Sequence, residues 1–318
     1  MRTEENMVTL EKLRLREVAL NSLLAKMGKD LRVKATEVRK NNVQKPAFGI
    51  GIAGASLQIR CYPTPEDMAM SDLELLNELA KKFQEATSGV AVVDMLPGRE
   101  ELIAHLMPRV MGSANAGWLR EAGRPCKELL DMVMTLQCGV DIDGISEYGE
   151  VANIQVTDSL LRQCGLAVDE AFAIAMKNIE SVAQISPIRT VLEELLGEEL
   201  PDGDNEPKMI IVSNEQRCNG ASLMFSKKIQ SELLEIFGKK AVYVLPSSIH
   251  EFIAVSASYM PIDDMREMVR TINENEVDPE DRLTDEVYTL IGTPENPVLG
   301  MSSKLGHRGQ ETFLTARF

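Results

Sequence analysis

The order of elements after Lys208 constrains the fold of this chain more than any other feature of its sequence. "MIIVSN" and "ASLMF" read as two strands joined through "EQRCNG", and residues 226–238 carry a helical pattern closed by Gly238. "AVYVL" and "IHEFIAV" read as two further strands, 261–275 as a second helix and "EVYTL" as a last strand. Pairs of strands separated by helices predict an α+β layer with mainly antiparallel sheets. Just before this region "GEELPDGDNEPK", Gly197 to Lys208, is acidic, holds two prolines and lacks apolar periodicity. It reads as an exposed linker.

The first half is less regular. Apolar residues at near-helical spacing predict a helix over 3–27 ending at Gly28, and "LRVKATEV" alternates as a half-buried strand does. "AFGIGIAG" and "SLQIRCY" look like two more strands, followed by a helix from Glu66 to about Gln84. In the middle, "REELIAHLMPRVM" and "CKELLDMVMTL" carry helical patterns. The expected organisation is therefore an N-terminal helix with a small α+β unit over 1–95 and a mainly helical middle over 96–196. A C-terminal α+β unit over 208–292 and a disordered tail over 293–318 complete it.

Composition removes several function classes. No apolar run approaches the roughly 18 residues that a membrane span needs. The start, "MRTEENMVTLEKL", is charged where a signal peptide is apolar. Five cysteines, odd in number and never spaced CxxC, fit free thiols in a reducing cytoplasm. The net charge is −15, although residues 1–45 carry eleven Lys and Arg against six Asp and Glu. So acidic a body repels phosphate backbones and argues against non-specific nucleic-acid binding. Asp263 to Glu286 holds ten acids against three arginines, a solvated face or a docking surface for a protein partner.

The motifs with chemical content mostly fail on context. Gly49, Gly51 and Gly54 match the dinucleotide fingerprint, but the "ASLQIRCYPTP" that follows cannot start the required helix. "DIDGISEYGE" places its glycine fourth instead of sixth in an EF-hand register. "HEFIA" begins like HExxH but has Ala254 where the second histidine belongs. No metal and no cofactor are expected. The remaining candidate is "LPSSIHEFIAV", with Ser247, Ser248, His250 and Glu251 as weak catalytic candidates. Read as a regular strand from Ile249, it sends His250 and Glu251 to opposite faces. Lys40, Asn41, Asn42, Asn219, Asn273 and Asp285 are weaker candidates for ligand binding.

"KNN" (Lys40–Asn42), "NGA" (Asn219–Ala221), "VYVLPSSIHEFIAV" and "MREMVRTINENEVDPEDRLTDEVY" together resemble successive blocks of a bacterial family of unknown function. That family occurs in Gram-positive gut anaerobes and their mobile elements, with LPSSIHE as its signature. The resemblance is good over 30–90 and 207–290 and poor over 95–165. It implies an intracellular bacterial protein and attaches no reaction to it. The expectation for function is a cytoplasmic, non-catalytic binding or regulatory protein acting through a protein partner, including anti-defence cargo of a mobile element. The alternative is a hydrolase or nucleotide-processing enzyme centred on SSIHE.

Overall fold

The computed structural model describes residues 7–53, 58–87, 96–140, 152–200, 208–246 and 248–304. The chain divides into two compact units, Met1–Pro97 with Val140–Asn153, and Gly98–Gly139 with Ile154–Phe318. Helices accompany three sheets whose strands pair antiparallel, so the α+β expectation holds.

In the first unit, helix α1 (Leu10–Lys26) starts at Thr9, whose side chain accepts the Lys12 N–H. It buries Leu13, Leu20 and Leu24 against a three-stranded sheet of β1 (Leu31–Lys40), β2 (Val43–Ile52) and β3 (Ile59–Cys61). Asn21 on α1 donates to Val33 O and accepts from Val33 N–H, and Glu17 accepts from Ala35 N–H. Two short capped starts follow. Thr64 and Asp67 form a reciprocal cap at α2 (Pro65–Ala69), and Ser71 pairs with Glu74 at α3 (Asp72–Thr87). The Arg16 guanidinium ties the α2–α3 link to α1 by donating to Asp72, Met68 O and Met70 O. Gly49 and Gly51 lie inside strand β2, paired with β1, and Gly54 lies outside the described residues. A side chain at Gly49 would collide with Arg60 and Gln58 on the neighbouring chain segment.

The second unit corrects the helical reading of two middle stretches. Helix α4 (Arg99–His105) stops at His105, and β4 (Leu106–Gly112) takes over, with Pro108 opposite Leu136. Proline cannot continue a helix interior, whereas at this place it needs no donor. After α5 (Ala116–Glu121), "CKELLDMVMTL" forms a hairpin of β5 (Cys126–Leu129) and β6 (Met132–Val140) in place of a helix. Met132, Met134 and Leu136 enter the main core while Val133 enters a second cluster with Met111 and Leu119. A strand buried on both faces loses its alternation, and its apolar run imitates a helix. β7 (Ala152–Gln155) also pairs with β6.

Helices α6 (Asp158–Gln163) and α7 (Val168–Ser181) precede β8 (Ala183–Pro187) and α8 (Ile188–Leu196). Then come β9 (Met209–Asn214), α9 (Lys227–Ile236), β10 (Val242–Leu245), β11 (Phe252–Ser256), α10 (Ile262–Glu276), β12 (Tyr288–Thr293) and β13 (Asn296–Met301). The six strands order as β13-β12-β10-β11-β9-β8. β8 and β9 pair directly, so the acidic stretch between them joins two neighbours of one sheet. Two further expectations need correction. "ASLMF" belongs to a buried 3₁₀ turn, Gly220–Phe225, and does not pair with β9. The expected disordered tail instead begins with β13, which pairs with β12 through a turn at Thr293–Asn296; residues 305–318 lie outside the described residues.

One buried contact fastens the β5–β6 hairpin to this sheet. Asp131, at the hairpin turn, accepts from the hydroxyl of fully buried Tyr288, and from Thr284 at 2.9 Å. Asp131→Ala strands both hydroxyls and is expected to lower stability by about 1–3 kcal/mol in urea unfolding. An unchanged unfolding midpoint would show that the two hydroxyls find other acceptors.

Candidate functional site

Three segments of the second unit converge beside β9 and β11. They are the 214–222 loop, the 248–251 segment and the 278–282 turn. The backbone does the assembly. The His250 carbonyl accepts from Gly220 N–H at 2.8 Å and from Ser213 Oγ at 2.8 Å. Ala221 N–H reaches Ile249 O, and Ile249 N–H reaches Asp281 O at 2.8 Å. Ser248 bridges to Arg282, completing the join. A Cβ on Gly220 would sit 2.6 Å from His250 O and 2.8 Å from Ser213 Cα, so only glycine fits.

The loop that carries Cys218 is held from within. Asn214 clamps the Cys218 peptide, accepting from its N–H at 3.0 Å and donating to its carbonyl at 2.7 Å. Arg217 and Asn219 on either side adopt left-handed backbone conformations, with φ of 49° and 56°. Non-glycine residues occupy that region uncommonly, and they do so where surroundings over-determine them. Cys218 is half-buried.

His250 stands at the centre. Its Nε2 lies 3.2 Å from Asp281 Oδ1, and its Nδ1 accepts from Asn219 N–H at 3.4 Å. A neutral ring satisfies both contacts only with its proton on Nε2. The Cys218 thiol hydrogen-bonds the same ring and, together with Asp281, holds the imidazole above its ordinary pKa against the opposing effect of burial. Asn219 Nδ2 donates to Cys218 Sγ at 3.2 Å. Ser248 Oγ accepts from His250 N–H at 2.9 Å, and its hydroxyl also bonds the Glu251 carboxyl. Burial pushes the Glu251 carboxyl up; His250, the Ser248 hydroxyl and Arg217 pull it back in part.

The expectation that a regular strand sends His250 and Glu251 apart is corrected. The strand begins only at Phe252, and the preceding bend leaves both side chains in one polar cluster. Ser248, His250, Glu251 and Asn219 therefore come together. Ser247 lies outside the described residues. Asn273 and Asp285 contact each other at 2.6 Å, and Asn273 also donates to Thr284 O, tying α10 to the chain before β12. Lys40, Asn41 and Asn42 belong to the other unit, at the β1–β2 turn, where Asn41 has φ of 37° and Lys40 lies over Tyr62. Sequence reasoning missed Cys218, Asp281 and Arg217. The only available signal was "RCNG", a cysteine beside two turn residues, and Asp281 was one acid among many.

Residues 15–290 match a family of unknown function, DUF5688. The chain belongs to that family. No curated protein and no solved structure matches it. The family match spans every residue of the Cys218–His250–Asp281 cluster but brings no reaction with it. Among the described residues, no group of three His, Cys, Asp or Glu side chains is placed to hold a metal ion. No described helix is long and apolar enough to cross a membrane.

Glu251 gives a pH test of the site. Its raised pKa means that the folded state disfavours the charged carboxylate, so it weakens folding above its folded pKa and has no effect below its unfolded pKa. Glu251→Gln is expected to raise the melting temperature at neutral pH, with the gain disappearing on acidification through the carboxylate range. A gain that is equal at both pH values would assign the effect to packing.

Proposed function

We propose that the second unit carries a nucleophilic thiol site in which Cys218 attacks, His250 moves the proton and Asp281 orients and charges the ring. The observation that carries this reading is an imidazole whose Nε2 lies 3.2 Å from the Asp281 carboxylate and whose Nδ1 side meets Asn219, which in turn donates to Cys218 Sγ at 3.2 Å. Nucleophile, base and orienting acid are the three parts that covalent catalysis by a thiol requires. His250 takes the Cys218 proton, and Asp281 stabilises the imidazolium. The sulfur then bonds an sp² carbon of the substrate, and the group leaving that carbon departs with the proton from His250. Water attacks the same carbon and gives a proton to the imidazole, the C–S bond breaks, and the thiol is restored. The reaction class is hydrolysis or transfer at an acyl-type carbon. This moves the enzymatic alternative from the SSIHE serines to the neighbouring cysteine. A cytoplasmic setting, where thiols stay reduced, suits it.

The non-catalytic reading, a protein acting through a protein partner, treats the same contacts as a polar knot. It is favoured by the backbone of His250, whose N–H and carbonyl are both engaged in holding the segments together. Alkylation separates the two. In the folded chain, limiting iodoacetamide should modify Cys218 at least about ten-fold faster than half-buried Cys126, because a thiol beside a base is the more reactive. His250→Ala, which keeps the backbone contacts, and Asp281→Asn should each slow Cys218 with the circular dichroism spectrum unchanged. Equal rates at Cys218 and Cys126, indifferent to both substitutions, would leave the polar knot as the account.

A further inference from the structure

Helix α5 ends in a turn that folds the chain back over its own indole. Gly123, with φ of 63°, donates to Arg120 O, and Arg124 N–H returns to Leu119 O at 2.9 Å. The turn lays the half-buried Arg124 guanidinium over the Trp118 ring, 4.5 Å from its centre. Among the described residues, no hydrogen bond or ion pair engages the Arg124 side chain. A guanidinium carries five N–H donors and no acceptor, so one taken partly out of water normally meets an oxygen.

A second guanidinium is brought to the same face. Arg109 on β4 lies directly opposite Thr135 on β6, and Thr135 lies opposite Cys126 on β5, so the three share one side of the sheet. Thr135 Oγ1 donates to Pro125 O at 2.9 Å and thereby holds the segment after Arg124 on that row. Trp118 and Cys126 pack on this side against the cluster of Met111, Leu119 and Val133. Burial, and after it the Arg109 guanidinium, push Arg124 down to about 10, with no carboxylate acting the other way. The nearby Glu128 carboxylate is held by Arg120. Two like charges in partly buried ground repel, and an oxyanion between them removes the repulsion while it supplies acceptors. The guanidinium fork matches two oxygens of a phosphate, and a dianion answers two cations where a carboxylate carries a single charge.

We propose that Arg124 and Arg109, beside Trp118, form a binding site for the phosphate of a monoester ligand. Arg124 supplies the fork, Trp118 keeps it flat against the indole face, and Arg109 adds the second charge. The site stands independently of the thiol reading.

Trp118 is the only tryptophan of the chain, so its emission reads the site without a label. The full chain is titrated with inorganic phosphate at constant ionic strength, with chloride as the reference anion. A saturable change in Trp118 emission and a saturable rise in melting temperature are expected, because a ligand bound only by the folded state stabilises it. Arg124→Gln should lose both responses. In phosphate-free buffer it should melt no lower than the natural chain, since a charge beside a like charge goes with it. Arg124→Lys keeps the charge without the fork and should raise the half-saturating concentration about ten-fold. Glycerol 2-phosphate and acetyl-Gly-phosphoserine-Gly-amide then separate a small ester from a phosphorylated chain, the source being whichever saturates at lower concentration. Responses no larger than those to chloride, or responses that survive Arg124→Gln, would overturn the proposal and leave Arg124 as a structural partner of Trp118. Should Arg124→Gln fail to fold, Arg124→Lys decides, and an unchanged half-saturation there overturns it equally.

Discussion

The carbonyl oxygen of His250 takes two hydrogen bonds, from Gly220 N–H and Ser213 Oγ, and the placement of every side chain in the cluster follows from that double contact. It seats the Cys218 loop on the bend before β11, and Ile249 N–H on Asp281 O brings the acidic turn to the same place. The three segments that meet are irregular backbone, which water must satisfy unless the segments satisfy one another. Here they do so through main-chain groups together with the side chains of Ser213, Asn214 and Ser248. The side chains of Cys218, His250 and Asp281 are brought to one place by that join.

The electrostatics follow from the same geometry. The Cys218 thiol and the Asp281 carboxylate favour the proton on the His250 ring even though burial opposes it. Glu251 is driven the other way by burial and keeps its proton more readily than an exposed glutamate. The left-handed conformations at Arg217 and Asn219 add to the same picture of a loop whose shape is imposed by its surroundings.

The sequence made the α+β class legible because the strands and helices after Lys208 announce themselves by period, and their ends by glycine and proline. What it concealed was burial on both faces. β6 has apolar side chains on each side and no polar beat, so periodicity alone read it as a helix. The 3₁₀ turn Gly220–Phe225 was hidden likewise: all six residues are buried, and nothing local separates that from a strand. At the site, His250, Glu251, Ser248 and Asn219 were legible as polar residues among apolar ones. Asp281 was not, since its meaning comes from a backbone bond to Ile249 some thirty residues earlier in the chain. Cys218 was hidden by the same long-range join.

On the other unit, Asn21 and Glu17 of α1 occupy the outward backbone groups of Val33 and Ala35, on the side of β1 that no strand covers. An amide side chain there does what a further strand would do, offering one donor and one acceptor in the spacing of a peptide. That stretch of the β1 border is thus occupied, which removes it as a pairing site for stray extended chains, the usual route by which an unpaired border seeds aggregation. A helix that buries leucines thereby also satisfies backbone groups on that border of the sheet.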